Sequence, residues 1–234
     1  IDHPNLRKCQ TYIDCHLHAP RSTALPHERR PPALTISRQT GAGGLMIAEL
    51  LAQRLDASPL RTDCPWTVFD KNLVTKVLED HNLPQRLAQY MPEDKISFVA
   101  DALEELFGLH PPSWDLLHQT TETILKLAEL GNVILVGRAA NIITAKLNHL
   151  FHVRLVGSFE RRRARIQERL HLSPPAAADF IKQEDTGRER YLKKHFRHSI
   201  DDPLLYHLAI DTDWVTESER SEERRVGKEC DLGG

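Results

Sequence analysis

The residues with the clearest chemical potential form a glycine cluster, Gly41 to Gly44, between an apolar run and a helix-like segment. The run Leu34-Thr35-Ile36 is short and partly β-branched, so it predicts a strand, and the pattern after Leu45 predicts a helix. Glycines allow consecutive backbone N–H groups to converge on an anion, and a helix N-terminus adds partial positive charge. This order of strand, glycine loop and helix indicates a phosphate-binding site.

The loop lacks the side chains that usually accompany such a backbone. The motif G-x-x-x-x-G-K-[ST] adds a lysine for the phosphates and a hydroxyl for Mg²⁺. When the motif is aligned on Gly43, Gly44 stands at the lysine position and Leu45 at the hydroxyl position, followed by Met46. Mg²⁺ prefers oxygen ligands to a thioether. The sequence therefore predicts the backbone of a nucleotide kinase without its fixed cation, and a plain strand-to-helix turn is the alternative.

Composition is typical of a soluble globular protein. The 234 residues are 40% hydrophobic and 27% charged, and the formal net charge of -2 argues against a general nucleic-acid-binding protein. No apolar run is long enough to cross a bilayer, so we expect no membrane partner. The cysteines include no C-x-x-C pair, and we interpret them as free thiols in a reducing cytoplasm. They are Cys9, Cys15, Cys64 and Cys230.

The chain divides into three regions by composition. Residues 1–32 are rich in Pro, Arg and His without periodicity, so we expect a poorly ordered extension. Cys9, Cys15, His16 and His18 in it could ligate zinc, but their spacing matches no zinc signature, so we expect no metal site. Residues 217–234 are highly charged and contain RSEERRVGKEC, which resembles a translated sequencing adapter. We interpret this region as a disordered tail and an artefact, the alternative being a solvated natural terminus.

Residues 33–216 alternate between short apolar runs and helical patterns. The predicted strands are Leu34–Ser37, Trp66–Phe69, Val133–Val136, Phe151–Val156 and Tyr206–Ile210. Such alternation predicts a five-stranded parallel sheet with helices on both faces, an α/β fold. The pattern between residues 73 and 130 predicts a long helical insert. Ligands of such sheets bind beyond the carboxyl ends of the strands, which is where Ser37, Asp70 and Arg138 fall.

Six segments in order resemble the cytidylate kinase-like family of P-loop kinases. They are ISRQTGAGG, W-x-V-F-D-K, VILVGRAANII, LFHVRLVGSFERRRARI, QEDTGRERYLKKHF and DDPLLYHLAIDT, within Leu34 to Val215. The resemblance implies a P-loop NTPase-type three-layer fold with a monophosphate-binding insert and a lid. It also implies transfer of the ATP γ-phosphoryl group to CMP, dCMP or a similar acceptor with Mg²⁺. The partners would be small-molecule nucleotides, and the oligomeric state is not indicated.

The resemblance assigns roles to single residues. The ATP phosphates would be bound by Ser37, Thr40, Gly41, Ala42, Gly43 and Gly44. Asp70 and Arg138 would contact the acceptor, the alternatives being a helix N-cap and a strand-end ion pair. Arg188 and Arg190 in the lid would neutralise charge on the transferred group, the alternative being a salt-bridged solvated helix face. The basic helix from Glu160 to Leu170 is interpreted as a solvated face, with one of its arginines reaching the nucleotide.

Two departures from the family pattern leave the function open. Ala139 follows Arg138 where well-studied cytidylate kinases carry Asp, and Leu45 follows the glycine pair where many relatives carry arginine. Ala139 leaves the base specificity open, and Leu45 leaves the catalytic rate open. The function is therefore a nucleoside monophosphate kinase, a weak or inactive nucleotide-binding pseudokinase, or a kinase of another small molecule.

Overall fold

Five parallel strands form one sheet in the residues that the structure, a computed structural model, describes: 4–18, 31–58, 64–70 and 115–214. The strands are β1 (Ala33–Arg38), β2 (Thr67–Phe69), β3 (Val133–Val136), β4 (Leu150–Val156) and β5 (Leu208–Asp211). Their order across the sheet is β2-β3-β1-β4-β5, and every neighbouring pair is parallel. The predicted five-stranded parallel sheet is confirmed.

The centre of the sheet follows from its sequence. All four residues of β3 are buried, as expected for an unbroken apolar run that is covered on both faces. β1 pairs on both sides, with Ala33 opposite Val133 of β3 and Leu150 of β4. The chain leaves β1 toward the β2 edge and leaves β4 toward the β5 edge. Because the connections diverge between β1 and β4, a ligand site is expected beyond the carboxyl ends of these strands.

Helices cover both faces of the sheet. They are α1 (Pro4–His18), α2 (Gly44–Asp56), α3 (Asp115–Leu130), α4 (Ala140–Ile143), α5 (Phe159–Leu170) and α6 (Pro174–Phe196). One face packs against α2 through Ala48 and Ala52. The opposite face packs against α1, α3 and α4 in a cluster that includes Leu125 and Ile142. This gives the predicted three layers. No helix among the described residues is long and apolar enough to cross a bilayer.

The structure corrects the expectation of a poorly ordered N-terminal extension for residues 4–18, whereas residues 1–3 and 19–30 lie outside the described ranges. Residues Pro4–His18 form α1, in which Tyr12 and Ile13 are buried in the core. The Tyr12 hydroxyl donates a hydrogen bond to the Gly131 carbonyl oxygen at 2.6 Å, just after α3. Tyr12 and Ile13 are two adjacent apolar residues in a segment rich in polar ones, so the sequence gives little sign of a core-facing helix.

The expectation of four free thiols is also wrong, because Cys15 and Cys64 form a disulfide bond. Their Cα atoms lie 5.7 Å apart although 49 residues separate them in the sequence. Cys15 belongs to α1 and Cys64 precedes β2, so the pairing depends on the tertiary fold and has no local motif. The bond removes the cysteine-based argument for a reducing cytoplasm and takes Cys15 away from any zinc site.

Two expectations concern residues outside the described ranges. The greater part of the predicted helical insert falls at 71–114, and α3 is its described end. The adapter-like tail at 217–234 also lies outside.

Loss of the Cys15–Cys64 bond is expected to destabilise the protein. A cross-link that closes a loop of this length restricts the unfolded chain by about 4 kcal/mol in the loop-entropy model. The double variant Cys15→Ser/Cys64→Ser should therefore unfold at a lower urea concentration than the oxidised wild type. Dithiothreitol should lower the wild-type midpoint and leave that of the double variant unchanged. A count of all four cysteines as free thiols in denatured, non-reduced protein would contradict the assignment.

Candidate functional site

The glycine loop joins β1 to α2 at the carboxyl edge of the sheet. Gly41 and Gly43 adopt left-handed conformations with φ of +82° and +78°, and Gly43 is the N-cap of α2. A Cβ atom on Gly41 would lie 2.5 Å from the carbonyl oxygen of Arg162, so no side chain fits there. Within the described residues, the N–H groups of Gly41, Gly43 and Gly44 have no hydrogen-bond acceptor. These three donors at a helix N-terminus can bind an anion.

One loop residue, Thr40, is held by a carboxylate from α6, which we call the lid helix. Asp185 Oδ1 accepts hydrogen bonds from the Thr40 backbone N–H at 2.8 Å and from the Thr40 hydroxyl at 2.7 Å. The same carboxylate accepts from Arg162 Nη1 at 2.7 Å and from Arg188 Nη1 at 2.9 Å. A phosphate group bound at this position would accept from the same donors. The lid helix is therefore closed on the loop by an anion of the protein itself.

Two arginines of α5 hold the loop from the other side. Arg162 is buried and donates to the carbonyl oxygens of Gly157 at 3.0 Å and Thr40 at 3.1 Å. Arg165 donates to the carbonyl oxygens of Gly41 at 3.3 Å and Thr212 at 2.6 Å. The interpretation of the α5 arginines as a solvated face is therefore wrong for these two residues. These two arginines donate to carbonyl oxygens of the loop, so they do not occupy the N–H groups of the loop.

The two predicted lid arginines lie on different sides of the lid helix. Arg188 is partly buried and donates to the Thr40 hydroxyl, to Asp185 and, at 3.1 Å, to Glu184. Arg190 is exposed and makes no hydrogen bond or ion pair with any described residue. Two residues correspond to about 200° of rotation in an α-helix, so both side chains cannot face the loop. The structure brings Arg188 to the site and does not bring Arg190.

Arg38, the last residue of β1, crosses the edge of the sheet beside the loop. Its side chain passes Gly44, where a Cβ atom would lie 2.9 Å from Arg38 Cγ. Its guanidinium group lies against the backbone of Gly137, which follows β3, and a Cβ atom there would overlap Arg38 Nη1. The pKa of Arg38 is lowered to about 10, first by burial and then by the charge of Arg188, while Asp70 acts in the opposite direction. The group remains protonated at neutral pH and adds positive charge to the site.

The predicted acceptor residues lie at the same edge. Gly137, Arg138 and Ala139 have φ of +84°, +56° and +57°, three consecutive left-handed residues that turn the chain from β3 into α4. Such a backbone is costly for residues other than glycine, and strain of this kind is concentrated at functional sites. Burial raises the pKa of Tyr191 on the lid helix, and the charge of the nearby Arg138 acts in the opposite direction. Asp70 directly follows β2, next to β3 in the sheet.

A cleft of about 250 Å³ opens between the carboxyl ends of β1 and β4 and the lid helix. The basic side chains that line it are Arg38, Arg154, Arg162 and Lys182. Arg154 of β4 is buried, donates to the Ser37 hydroxyl at 2.9 Å and pairs with the exposed Asp201 at 3.5 Å. Ser37, a predicted phosphate ligand, thus positions an arginine in this structure.

Sequence reasoning missed four residues that the structure places at the site. They are Arg38, Arg154, Arg162 and Asp185. Arg38 and Arg154 stand near the carboxyl ends of β1 and β4, and this position in the predicted strands could have indicated a site residue. Arg162 is one of four arginines in a five-residue stretch, and only the fold separates it from its exposed neighbour Arg161. Asp185 stands in the segment QEDTGRERYLKKHF, and nothing in that string distinguishes it from the neighbouring acidic residues.

The chain is similar in sequence to one protein family and in fold to a solved structure. The sequence model of the cytidylate kinase-like family matches residues 33–214. The crystal structure of an uncharacterized protein from Eubacterium ventriosum is similar with a TM-score of 0.55 at 18% identity, covering 82% of this chain and 97% of that chain. A shikimate kinase from Bacteroides thetaiotaomicron gives a TM-score of 0.43 at 14% identity, covering 86% of this chain and 99% of that chain. No curated protein matches the chain significantly.

Gly41→Ala and Gly187→Ala form a matched pair that tests the loop conformation. Alanine at position 41 would need a left-handed backbone and would collide with α5, so we expect a loss of about 1–3 kcal/mol in unfolding free energy. Gly187 lies in the lid helix with open space around its Cβ position, so alanine there should add roughly 0.5–1 kcal/mol. Urea unfolding followed by circular dichroism measures both. Wild-type stability of Gly41→Ala would contradict the described loop.

Proposed function

Because the chain belongs to the cytidylate kinase-like family, we propose that it transfers the γ-phosphoryl group of ATP to CMP, dCMP or a similar nucleoside monophosphate. One observation supports this best: three glycine N–H groups without an acceptor in the described residues lie beside arginines from four parts of the fold. These arginines are Arg38, Arg138, Arg162 and Arg188. Phosphoryl transfer needs in-line positioning and positive charge around the moving group, which these residues supply.

The two sides of the site suggest how the reactants are arranged. The ATP phosphates would lie on the loop N–H groups, and the acceptor monophosphate would lie toward Asp70 and Arg138. An oxygen of the acceptor phosphate then attacks the γ-phosphorus atom, and the bond from that atom to ADP breaks with its electron pair on ADP. Arg188 of the lid helix would neutralise charge as it develops on the transferred group.

Mg²⁺ accompanies ATP in this family, and the residues of the loop fit the ion poorly. Leu45 and Met46 stand where a hydroxyl ligand is usual, and both are exposed. The Ser37 and Thr40 hydroxyls are already hydrogen-bonded to side chains of β4 and the lid helix. Mg²⁺ often keeps several waters and binds through substrate phosphates, so the nucleotide itself would provide its ligands. We assign no step of the reaction to the ion.

A nucleotide-binding protein without turnover is the second candidate. Leu45 leaves the loop without its usual cation, and Asp185 already occupies the anion position beside Thr40. A third candidate, phosphorylation of another small molecule, is favoured by Ala139, since this residue is buried and offers no side chain to select a base.

Release of ADP from Mg²⁺–ATP in the presence of a panel of nucleoside monophosphates tests the proposed activity. We expect turnover with CMP or dCMP by the full chain. Arg138→Ala and Arg188→Ala should each lower kcat by about 100-fold or more, because each removes a contact to a phosphate. Lys193→Ala, an exposed change on the same lid helix, is the matched control and should keep wild-type turnover. A folded protein that binds ATP and is silent with every acceptor would contradict the kinase and favour the second candidate.

Asp185→Asn tests whether the lid carboxylate competes with phosphate for the loop. The amide keeps the shape and removes the anion, so we expect ADP to bind about tenfold more tightly, equivalent to about 1.4 kcal/mol. The loss of charged hydrogen bonds should lower the unfolding free energy by about 1–3 kcal/mol. Calorimetric titration with ADP measures the first effect and urea unfolding the second.

Glu184→Gln is the matched control for this variant. Glu184 also pairs with Arg188 from the lid helix, and its carboxylate has no hydrogen bond to the loop among the described residues. We expect ADP affinity within a factor of about two of the wild type. Weaker ADP binding by Asp185→Asn than by Glu184→Gln would contradict competition at the loop.

A further inference from the structure

The start of α2 provides no side chain that could neutralise nucleotide phosphates. Gly44 has no side chain, and the exposed fractions of Leu45 and Met46 are 41% and 38%. Kinases stabilise the charge on the transferred group with cations that are fixed beside the phosphate loop. A cation for this loop must therefore come from another part of the chain.

We propose that Arg38 is the phosphate-binding cation of this site and takes the place of the lysine or arginine that positions 44 and 45 lack. The proposal rests on the proposed function and names one of its binding residues. Arg38 ends β1 immediately before the loop, and its side chain runs beside Gly44 to the backbone of Gly137. The guanidinium group therefore lies between the loop and the acceptor side of the site.

The path of Arg38 accounts for the missing lysine. A Cβ atom at position 44 would lie 2.9 Å from Arg38 Cγ and 3.2 Å from Arg38 Cβ, and relief of these contacts requires the whole Arg38 side chain to rotate about its Cα–Cβ bond. A lysine at this position and Arg38 in its present conformation therefore exclude each other. Gly137 has the same relation to the far end of the side chain, since a Cβ atom there would overlap the guanidinium group. The two glycines together form the channel that Arg38 occupies.

Arg38 also differs from four other arginines of the site in its partners. Each of those four donates a hydrogen bond to a protein oxygen; they are Arg154, Arg162, Arg165 and Arg188. The guanidinium group of Arg38 makes no hydrogen bond and no ion pair with any residue in the described parts of the chain. Arg38 lines the open cleft, so an anionic ligand bound there would accept hydrogen bonds from its guanidinium group.

The neighbours of Arg38 indicate what anion fits. The charges of Arg188 on the lid helix and Arg138 on the acceptor side lower the pKa of Arg38, while the carboxylates of Asp70 and Glu184 act in the opposite direction. Three guanidinium groups around one position can bind several oxygens of one phosphate group. A guanidinium group binds phosphate oxygens in a bidentate manner that a lysine cannot reproduce. In the proposed reaction Arg38 takes up and releases no proton; it binds the γ-phosphoryl oxygens while the group passes from ADP to the acceptor.

Arg38→Met and Arg38→Lys test this role, with Arg169→Met as the matched control. Methionine keeps most of the chain length beside Gly44 and removes the charge, whereas lysine keeps the charge. Arg169 lies in the last turn of α5 and is exposed. The readouts are kcat with the acceptor that the panel of nucleoside monophosphates identifies, the dissociation constant for Mg²⁺–ATP by calorimetry, and the unfolding midpoint in urea.

We expect Arg38→Met to remain folded, to lower kcat by about 100-fold or more, and to weaken Mg²⁺–ATP binding by about tenfold. Arg38→Lys should recover at least part of both losses, and Arg169→Met should equal the wild type. In the Arg38→Met background, Leu45→Arg should regain ATP affinity, because position 45 is exposed at the start of α2.

The outcomes separate this proposal from the proposed function. If the wild type turns over and Arg38→Met has the same kcat and ATP affinity, the role of Arg38 is overturned while the proposed kinase activity stands. Equal losses in folded Arg38→Met and Arg38→Lys, with no gain from Leu45→Arg, also overturn it. If the wild type binds ATP without turnover and Arg38→Met weakens that binding, the phosphate-binding role of Arg38 is supported and the proposed kinase activity is contradicted. A wild type that does not bind Mg²⁺–ATP overturns both.

Discussion

The arrangement of the site depends on the charge of one carboxylate, that of Asp185. It accepts hydrogen bonds from the backbone and hydroxyl of Thr40 and from two guanidinium groups, those of Arg162 and Arg188. These contacts join the loop after β1 to α5 and the lid helix. Without an anion at this point the two arginines and the loop N–H groups would repel one another. The closed position of the lid helix therefore follows from the same positive charge that the site would use to bind a nucleotide.

The fold supplies the remainder of this charge through the edge of the parallel sheet. Arg38 and Arg154 come from β1 and β4, between which the connections of the sheet diverge, and Arg138 comes from the strained turn after β3. Glycine is required at Gly41 because α5 approaches the loop there, and it is favoured at Gly137 because φ is +84° and a Cβ atom would displace the Arg38 guanidinium group. The loop differs from the usual phosphate-binding motif in its side chains, yet its cations come from neighbouring strands and helices.

The sheet could be predicted from the sequence because its strands carry local signals. The apolar run of β3 gave its bounds correctly, since a strand buried on both faces needs no alternation. The start of β5 was predicted two residues early, at Tyr206, because Pro203–Leu205 form a 3₁₀ turn and Tyr206 ends that turn. α1 and the Cys15–Cys64 bond could not be predicted, because both depend on contacts between segments that are distant in sequence.

The candidate site could also be predicted only where local sequence signals exist. The glycine loop, Asp70 and Arg138 each follow a strand, so the strand pattern predicted that they lie at the same edge of the sheet. The rotation of a basic helix about its axis decides which of its arginines face the loop. That rotation is set by packing and cannot be inferred from the composition of the helix. Arg190 is therefore outside the site although it is two residues from Arg188.

The most direct test of a loop that exchanges Asp185 for a phosphate is an NMR titration of the full chain with ADP, following the backbone amides of residues 40–44. If phosphate replaces the carboxylate, the Thr40 resonance shifts as its hydrogen bond to Asp185 is lost, and those of Gly41, Gly43 and Gly44 shift with the same dissociation constant. Binding of ADP that leaves these four resonances in place would show that the nucleotide lies elsewhere and would contradict a phosphate site at this loop.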